Sequence, residues 1–338
     1  MTTRKRYVVY AVVSVILAIG TATAVLVAGD LLVHRTKYAV NIWGYRGPIL
    51  GEKQSGEWRL AVLGESTAFG YGVGWDETFP AYIQQRMNAP ADGRHVTVVN
   101  LAYNNEGAYS YKFTLHDYEY LHPDAVLIYS GYNDLGGANT SVFRQASPVF
   151  RTTGYLPLLP VLLHEKAFQL RAKWGRIDPK SGKTTFEPGI AQQATIDALE
   201  KASEISRSLE AQLGTPAQPV HTSTTDATAR AGAGCGERWA HYCGGMREAV
   251  AEALGRGLRV LVVTQPYYND EHREQQQRLH EFLQSRFGHD PRFHLANLGE
   301  ALDLKDRTLC YDGLHLTPDG NRRIADALVP YVRQLLPQ

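Results

Sequence analysis

Cysteine is scarce in this sequence, net charge is nearly absent, and no internal repeat runs through it. Three cysteines in 338 residues exclude a fold held together by disulfides, and a chain of this length buries an ample core without them. With 35 basic against 34 acidic side chains, a net charge of +1, there is no global basic field for nucleic acid. Nor is there an acidic tail of the disordered, solvating kind. What remains is an ordinary globular composition, 44% hydrophobic and 20% charged, which suits one large α/β domain or two modest ones.

Charge is missing altogether from residues 7–29, which follow Arg4, Lys5 and Arg6. At about 1.5 Å per helical residue this run spans a ~30 Å hydrocarbon core with some tilt. Basic residues ahead of it predict a cytoplasmic N-terminus and export of everything after it. The alternative is a signal peptide cleaved near Ala22-Thr23-Ala24, releasing a secreted protein. The apolar run continues through Val25-Leu26-Val27-Ala28, which favours an uncleaved signal anchor over residues 1–36, single-pass in the inner membrane with the rest of the chain in the periplasm.

Residues 37–57 read as a juxtamembrane connector. Beyond them apolar and β-branched runs predict strands at 58–63, 95–101, 125–129, 258–263 and 293–295. Helical patterns fall at 78–88, 109–121, 244–254, 271–286 and 321–336. Strands alternating with helices predict a doubly wound α/β sheet over 58–336. The interval 137–243 breaks the alternation as an inserted segment or lid. It holds an apolar stretch at 154–163, a predicted helix at 189–213 and a Thr/Ala/Gly-rich piece at 215–236 that reads as a loop. Cys235 and Cys243 lie close enough to close a small disulfide loop, leaving Cys310 over; a zinc site with His241 lacks a recognisable paired spacing.

The residues that carry chemistry sit where predicted strands end. Gly64-Glu65-Ser66-Thr67 follows the first strand, presenting a serine at the edge where open α/β sheets bind ligands. Alone, such a serine serves equally as a helix cap. Asp312-Gly313-Leu314-His315 precedes the last helix. An imidazole there can act as base for the serine, and the carboxylate can fix its tautomer. Alone, it is a turn with a solvated histidine. Strand 125–129 ends in Ser130-Gly131-Tyr132-Asn133-Asp134, and Gly107 follows the second strand. The Asn133 amide and the Ser66 and Gly107 N–H groups make three donors for a tetrahedral oxyanion.

These four blocks, in this order, resemble the SGNH (GDSL-type) serine hydrolase superfamily. The resemblance covers about residues 41–135 and 305–332. It implies a flavodoxin-like three-layer α/β/α sandwich, with Ser66 as nucleophile, Asp312 and His315 as its supporting pair, and Ser66, Gly107 and Asn133 as the oxyanion hole. The first block reads Gly-Glu-Ser-Thr rather than Gly-Asp-Ser-Leu, and the second is stretched, so Tyr103 to Glu106 offer other alignments for Gly107. The implied activity is hydrolysis of a small-molecule, lipid or glycan ester, acyl or O-acetyl, with no metal and no organic cofactor. The alternatives are an acyltransferase using the same triad and an inactive glycan- or lipid-binding module. An α/β-hydrolase fits less well, because the serine follows the domain's first strand and the Asp shares the histidine's loop. A nucleotide site at Gly70-Tyr71-Gly72-Val73-Gly74 lacks the required spacing, and that run reads as a loop beside the active site.

Overall fold

The computed structural model describes residues 3–89, 95–159, 162–163, 194–195, 197–199, 201–202, 204–205, 208 and 222–337. The chain divides into two units, Met1–Thr36 with Ser147–Ala217, and Lys37–Ala146 with Gln218–Gln338.

In the first unit, the uncharged run becomes helix α1 (Thr3–His34). Its Arg6–His34 portion, with mean hydropathy 2.4, is long and apolar enough to cross a membrane, and most of its large side chains are exposed. Near the C-terminal end Asp30 is buried. Its carboxylate accepts the N–H groups of Leu158 at 2.8 Å and Leu159 at 2.5 Å, and the Tyr155 hydroxyl. The apolar stretch at 154–163 therefore engages α1 through its described part. Pro160 and Val161 lie outside the described residues, as does much of the helix expected at 189–213; the residues described there are helical.

In the second unit, five apolar runs become β1 (Glu57–Gly64), β2 (His95–Asn100), β3 (Ala125–Tyr129), β4 (Arg259–Thr264) and β5 (Phe293–Asn297). All pair in parallel, in the order β2-β1-β3-β4-β5. This is the doubly wound sheet that the alternation of elements predicts, in the flavodoxin-like order that the resemblance implies. β1 and β3 are buried along their whole length; β3 is continuously apolar, as a strand covered on both faces is, and β1 is apolar from Leu60 on, with Glu57 and Arg59 buried as an ion pair at its start. Helices α2 (Ser66–Phe69) and α3 (Phe79–Met87) follow β1, and α4 (Tyr111–Asp117) follows β2. After β3 come α5 (Thr222–Ala231) and α6 (Ala240–Gly255), then α7 (Asp270–Phe287) after β4 and α8 (Pro318–Gln334) after β5. α3 packs on α8, and α4 on α6; right-handed crossovers put these pairs on opposite faces of the sheet.

Three differences from the expected elements have physical reasons. The helix expected at 109–121 is a 3₁₀ turn at Ala108–Ser110, then α4, then a second 3₁₀ turn at Glu119–Leu121. It breaks at Tyr118, whose hydroxyl donates to the Trp43 carbonyl at 2.7 Å. The Thr/Ala/Gly-rich piece expected to be a loop is helical over Thr222–Ala231. Packing overrides its weak propensity: a Cβ on Gly244 would sit 1.8 Å from the Thr228 carbonyl oxygen, so only glycine lets α5 and α6 approach this closely. A disulfide joins Cys235 to Cys243 across that hairpin, and Cys310 is free and buried. Finally, residues 37–57 are not merely a connector: Val40, Tyr45 and Arg46 are buried in the second unit.

Candidate active site

In an open parallel sheet of this order, the direction in which successive connections cross the sheet reverses between β1 and β3, and ligands bind outside the carboxyl ends of those strands. The register Gly64↔Tyr129 brings the residues after both strands side by side there. Ser66 is the first residue of α2, where helical N–H groups have no intrahelical acceptor. Its hydroxyl lies 2.9 Å from His315 Nε2. His315 Nδ1 lies 2.6 Å from Asp312 Oδ2.

The loop bearing this pair is locally determined. An antiparallel bridge between Cys310 and Leu316 closes it. Asp312 Oδ1 accepts the N–H groups of Leu314 at 3.0 Å and His315 at 2.7 Å, the Asx-turn habit of aspartate. Thr317 then caps α8 by accepting the Gly320 N–H at 3.2 Å, with Pro318 in the first turn. Burial works to raise the Asp312 carboxyl. The hydrogen bonds from the His315 ring and from the two N–H groups outweigh it and hold the group below its ordinary range. The imidazole lies between two rings, Tyr71 at 4.9 Å and Tyr311 at 5.9 Å. The Tyr311 hydroxyl donates to the Tyr71 carbonyl. The Gly-rich run 70–74 thus lies beside the site, as its sequence suggests.

The other two expected residues are placed differently. The Asn133 side-chain N–H donates to the Glu106 carbonyl at 2.8 Å. An amide nitrogen has two hydrogens, so one is engaged, the group is held in one orientation, and the second remains to donate. Gly107 packs on Asp134: a Cβ there would lie 2.5 Å and 2.8 Å from the two carboxyl oxygens. Its glycine is required by that carboxyl's close approach, a reason the sequence does not reveal.

Three buried polar residues support these loops and escaped sequence reasoning. Glu65 binds the 130–133 loop: it accepts the Ser130 hydroxyl and the Gly131 and Asn133 N–H groups. Arg46 donates to the carbonyls of Phe69, Gly70 and Val73, at 2.9, 2.9 and 2.7 Å, and so holds the turn behind Ser66. Desolvation lowers its guanidinium to about 10. Arg144 donates to the carbonyls of Gly44 and Leu101, and pairs with Glu106 at 3.9 Å. A cavity of about 360 Å³ opens beside Asp312, lined by Tyr132, Leu135, Tyr268 and Leu314.

No protein-family model matches this sequence, and neither does any curated protein. Solved structures do resemble the chain. An acetyl-xylooligosaccharide esterase from Geobacillus shares 13% identity at a TM-score of 0.43, covering 86% of this chain and 98% of its own. A member of the lipolytic G-D-S-L family from Veillonella parvula shares 9% at 0.42, covering 82% and 100%. A family 3 carbohydrate esterase from Clostridium thermocellum shares 10% at 0.40, covering 82% and 98%. Identities and scores this low leave the chemistry to be read from the site itself.

Proposed function

We propose that this chain is an SGNH-type serine hydrolase that cleaves a carboxylic ester outside the cytoplasmic membrane, held there by α1. One observation carries the reading: Ser66 Oγ at 2.9 Å from His315 Nε2, with His315 Nδ1 at 2.6 Å from Asp312. A hydroxyl needs a base to attack a carbonyl, and an imidazole needs a carboxylate to hold its basic nitrogen toward that hydroxyl.

In this mechanism His315 takes the Ser66 proton as the oxygen attacks the ester carbonyl. Asp312 stabilises the imidazolium that forms. The Ser66 N–H, the Gly107 N–H and the free hydrogen of the Asn133 amide receive the oxyanion. The alcohol leaves with the proton from His315, and water then repeats the sequence on the acyl-enzyme. The tyrosine- and leucine-lined cavity beside Asp312 suits an acyl chain or a sugar ring. A cytoplasmic Arg4-Lys5-Arg6 segment with the hydrolase on the far side follows from the positive-inside rule.

The test is labelling of the full chain with a serine-directed fluorophosphonate, alongside hydrolysis of p-nitrophenyl acetate. Wild type should label and turn over, and Ser66→Ala and His315→Ala should do neither. Retained turnover in both variants would overturn the assignment. A series of acyl esters of increasing chain length, run with acetylated glycans, then sorts lipid from glycan substrates.

A further inference from the structure

Two carboxyl groups that ester cleavage does not use lie beneath the loops of the site. Glu65, next to the nucleophile, is 1% exposed. One of its oxygens accepts the Ser130 hydroxyl at 2.9 Å and the Gly131 N–H at 2.8 Å, and the other accepts the Asn133 N–H at 3.0 Å. Asp134 is as deeply buried, and its Oδ2 accepts the Ala108 N–H at 2.9 Å. Glu65 therefore ties the nucleophile's turn to the Asn133 loop, and Asp134 ties that loop to the backbone at Gly107. The sites of all three candidate oxyanion donors are joined through two carboxyls.

Among the described residues, neither carboxyl has a cation against it. Arg144, the buried guanidinium nearby in the fold, pairs with Glu106 instead. The titratable groups facing the pair are the phenols of Tyr111, Tyr129, Tyr132 and Tyr242, all pushed well above their ordinary range by burial. The His272 ring, which faces Gly131, is pushed down to about 4 by burial. All of these are neutral near pH 7. Two carboxylates in such an interior cannot both ionise. The donors decide which one carries charge: Glu65 has at least three and Asp134 has one.

We propose that Glu65 and Asp134 are positioning residues sharing one proton, Glu65 the anionic anchor of the Asn133 loop and Asp134 the neutral strut under Gly107. This inference rests on the ester-hydrolase reading. Burial raises both groups, Glu65 to about 7 and Asp134 well beyond its ordinary range, the latter also through repulsion by Glu65. That order agrees with the donor count.

The assignment predicts an asymmetry between two isosteric substitutions. Glu65→Gln removes the charge and turns an NH₂ group toward N–H donors. Asp134→Asn keeps an acceptor for Ala108 and mimics the neutral acid. Active sites of the full chain are counted by fluorophosphonate titration, and p-nitrophenyl ester turnover is then expressed per titrated serine. For Glu65→Gln, kcat per site should fall by roughly 10–100-fold with KM nearly unchanged, as for groups that orient oxyanion donors. Asp134→Asn should stay within a factor of about three. Equal losses in the two variants, or an unchanged kcat per site in Glu65→Gln, would overturn the inference while leaving the hydrolase reading intact. A wild type that neither labels nor turns over would overturn both. Should Glu65→Gln not fold, Ser130→Ala withdraws one donor from Glu65 and touches no oxyanion donor. It should move the acidic limb of the kcat profile to higher pH, and an unmoved limb would count against the anchor.

Discussion

Ser66 Oγ and His315 Nε2 meet at 2.9 Å although 249 positions separate them in sequence. The contact joins the turn after β1 to the loop before α8, and the candidate chemistry depends on that junction.

In the proposed mechanism Asp312, at 2.6 Å from His315 Nδ1, sets which imidazole nitrogen is basic. Asp312→Asn keeps the Oδ1 contacts to Leu314 and His315 but permits an N–H to point at His315 Nδ1, which favours the wrong tautomer. Turnover should fall roughly 10³–10⁴-fold with KM little changed. Steady-state kinetics on p-nitrophenyl acetate check this, and a loss confined to KM would speak against an orienting role.

Asn133 is expected to act only once charge develops on the substrate oxygen. Asn133→Ala should lower kcat about 10²–10³-fold, the usual cost of one oxyanion donor, and leave KM nearly constant. Because Asn133 is held by the Glu106 carbonyl, the same variant also frees an acceptor in the 101–107 loop. Labelling by fluorophosphonate should slow in parallel with turnover.

Arg46 donates to three carbonyls of the turn behind Ser66, of which the Phe69 carbonyl has a second, longer contact at 3.5 Å from the Asn100 side-chain amide. Arg46→Met leaves those of Phe69, Gly70 and Val73 without this donor, so stability should drop by at least about 2 kcal/mol. Urea denaturation at unchanged m-value measures it. Arg46→Lys should rescue little, because one ammonium cannot reproduce a planar fork.

Glu65 gives stability a definite pH dependence. Its carboxyl is raised by burial from its ordinary 4.5 to about 7, so Glu65 becomes the anionic anchor only above that pH, and below it the native state holds a proton that the unfolded chain releases between about 4.5 and 7. The stabilisation from this group is complete below pH 4.5 and is lost as pH rises through about 7. Between about pH 5 and 8, wild type should lose on the order of 2–3 kcal/mol more than Glu65→Gln. Parallel denaturation curves across that range would refute the shift.

The strands, the parallel α/β class and the turns that carry Ser66, Asp312 and His315 as candidates are all legible in the sequence, because each depends on short-range rules. An apolar run ended by a glycine turn makes a doubly covered strand, and an Asx turn ahead of Thr317-Pro318 makes the Asp–His loop. Asn133 is legible for the same reason, since it follows β3 directly. Gly107 is visible as a glycine, but its close fit to Asp134 is not.

Tertiary structure alone decides the rest. Glu65 reads as a variant letter in a motif until the Gly64↔Tyr129 register puts it under Ser130. Arg46 reads as part of a polar connector until the fold presents it with buried carbonyls. The Thr222–Ala231 helix forms only because Gly244 lets its neighbour come close. In each case the stabilising partner lies at a distance in sequence, and the burial that gives a hydrogen bond or a carboxyl its weight exists only once the sheet has assembled.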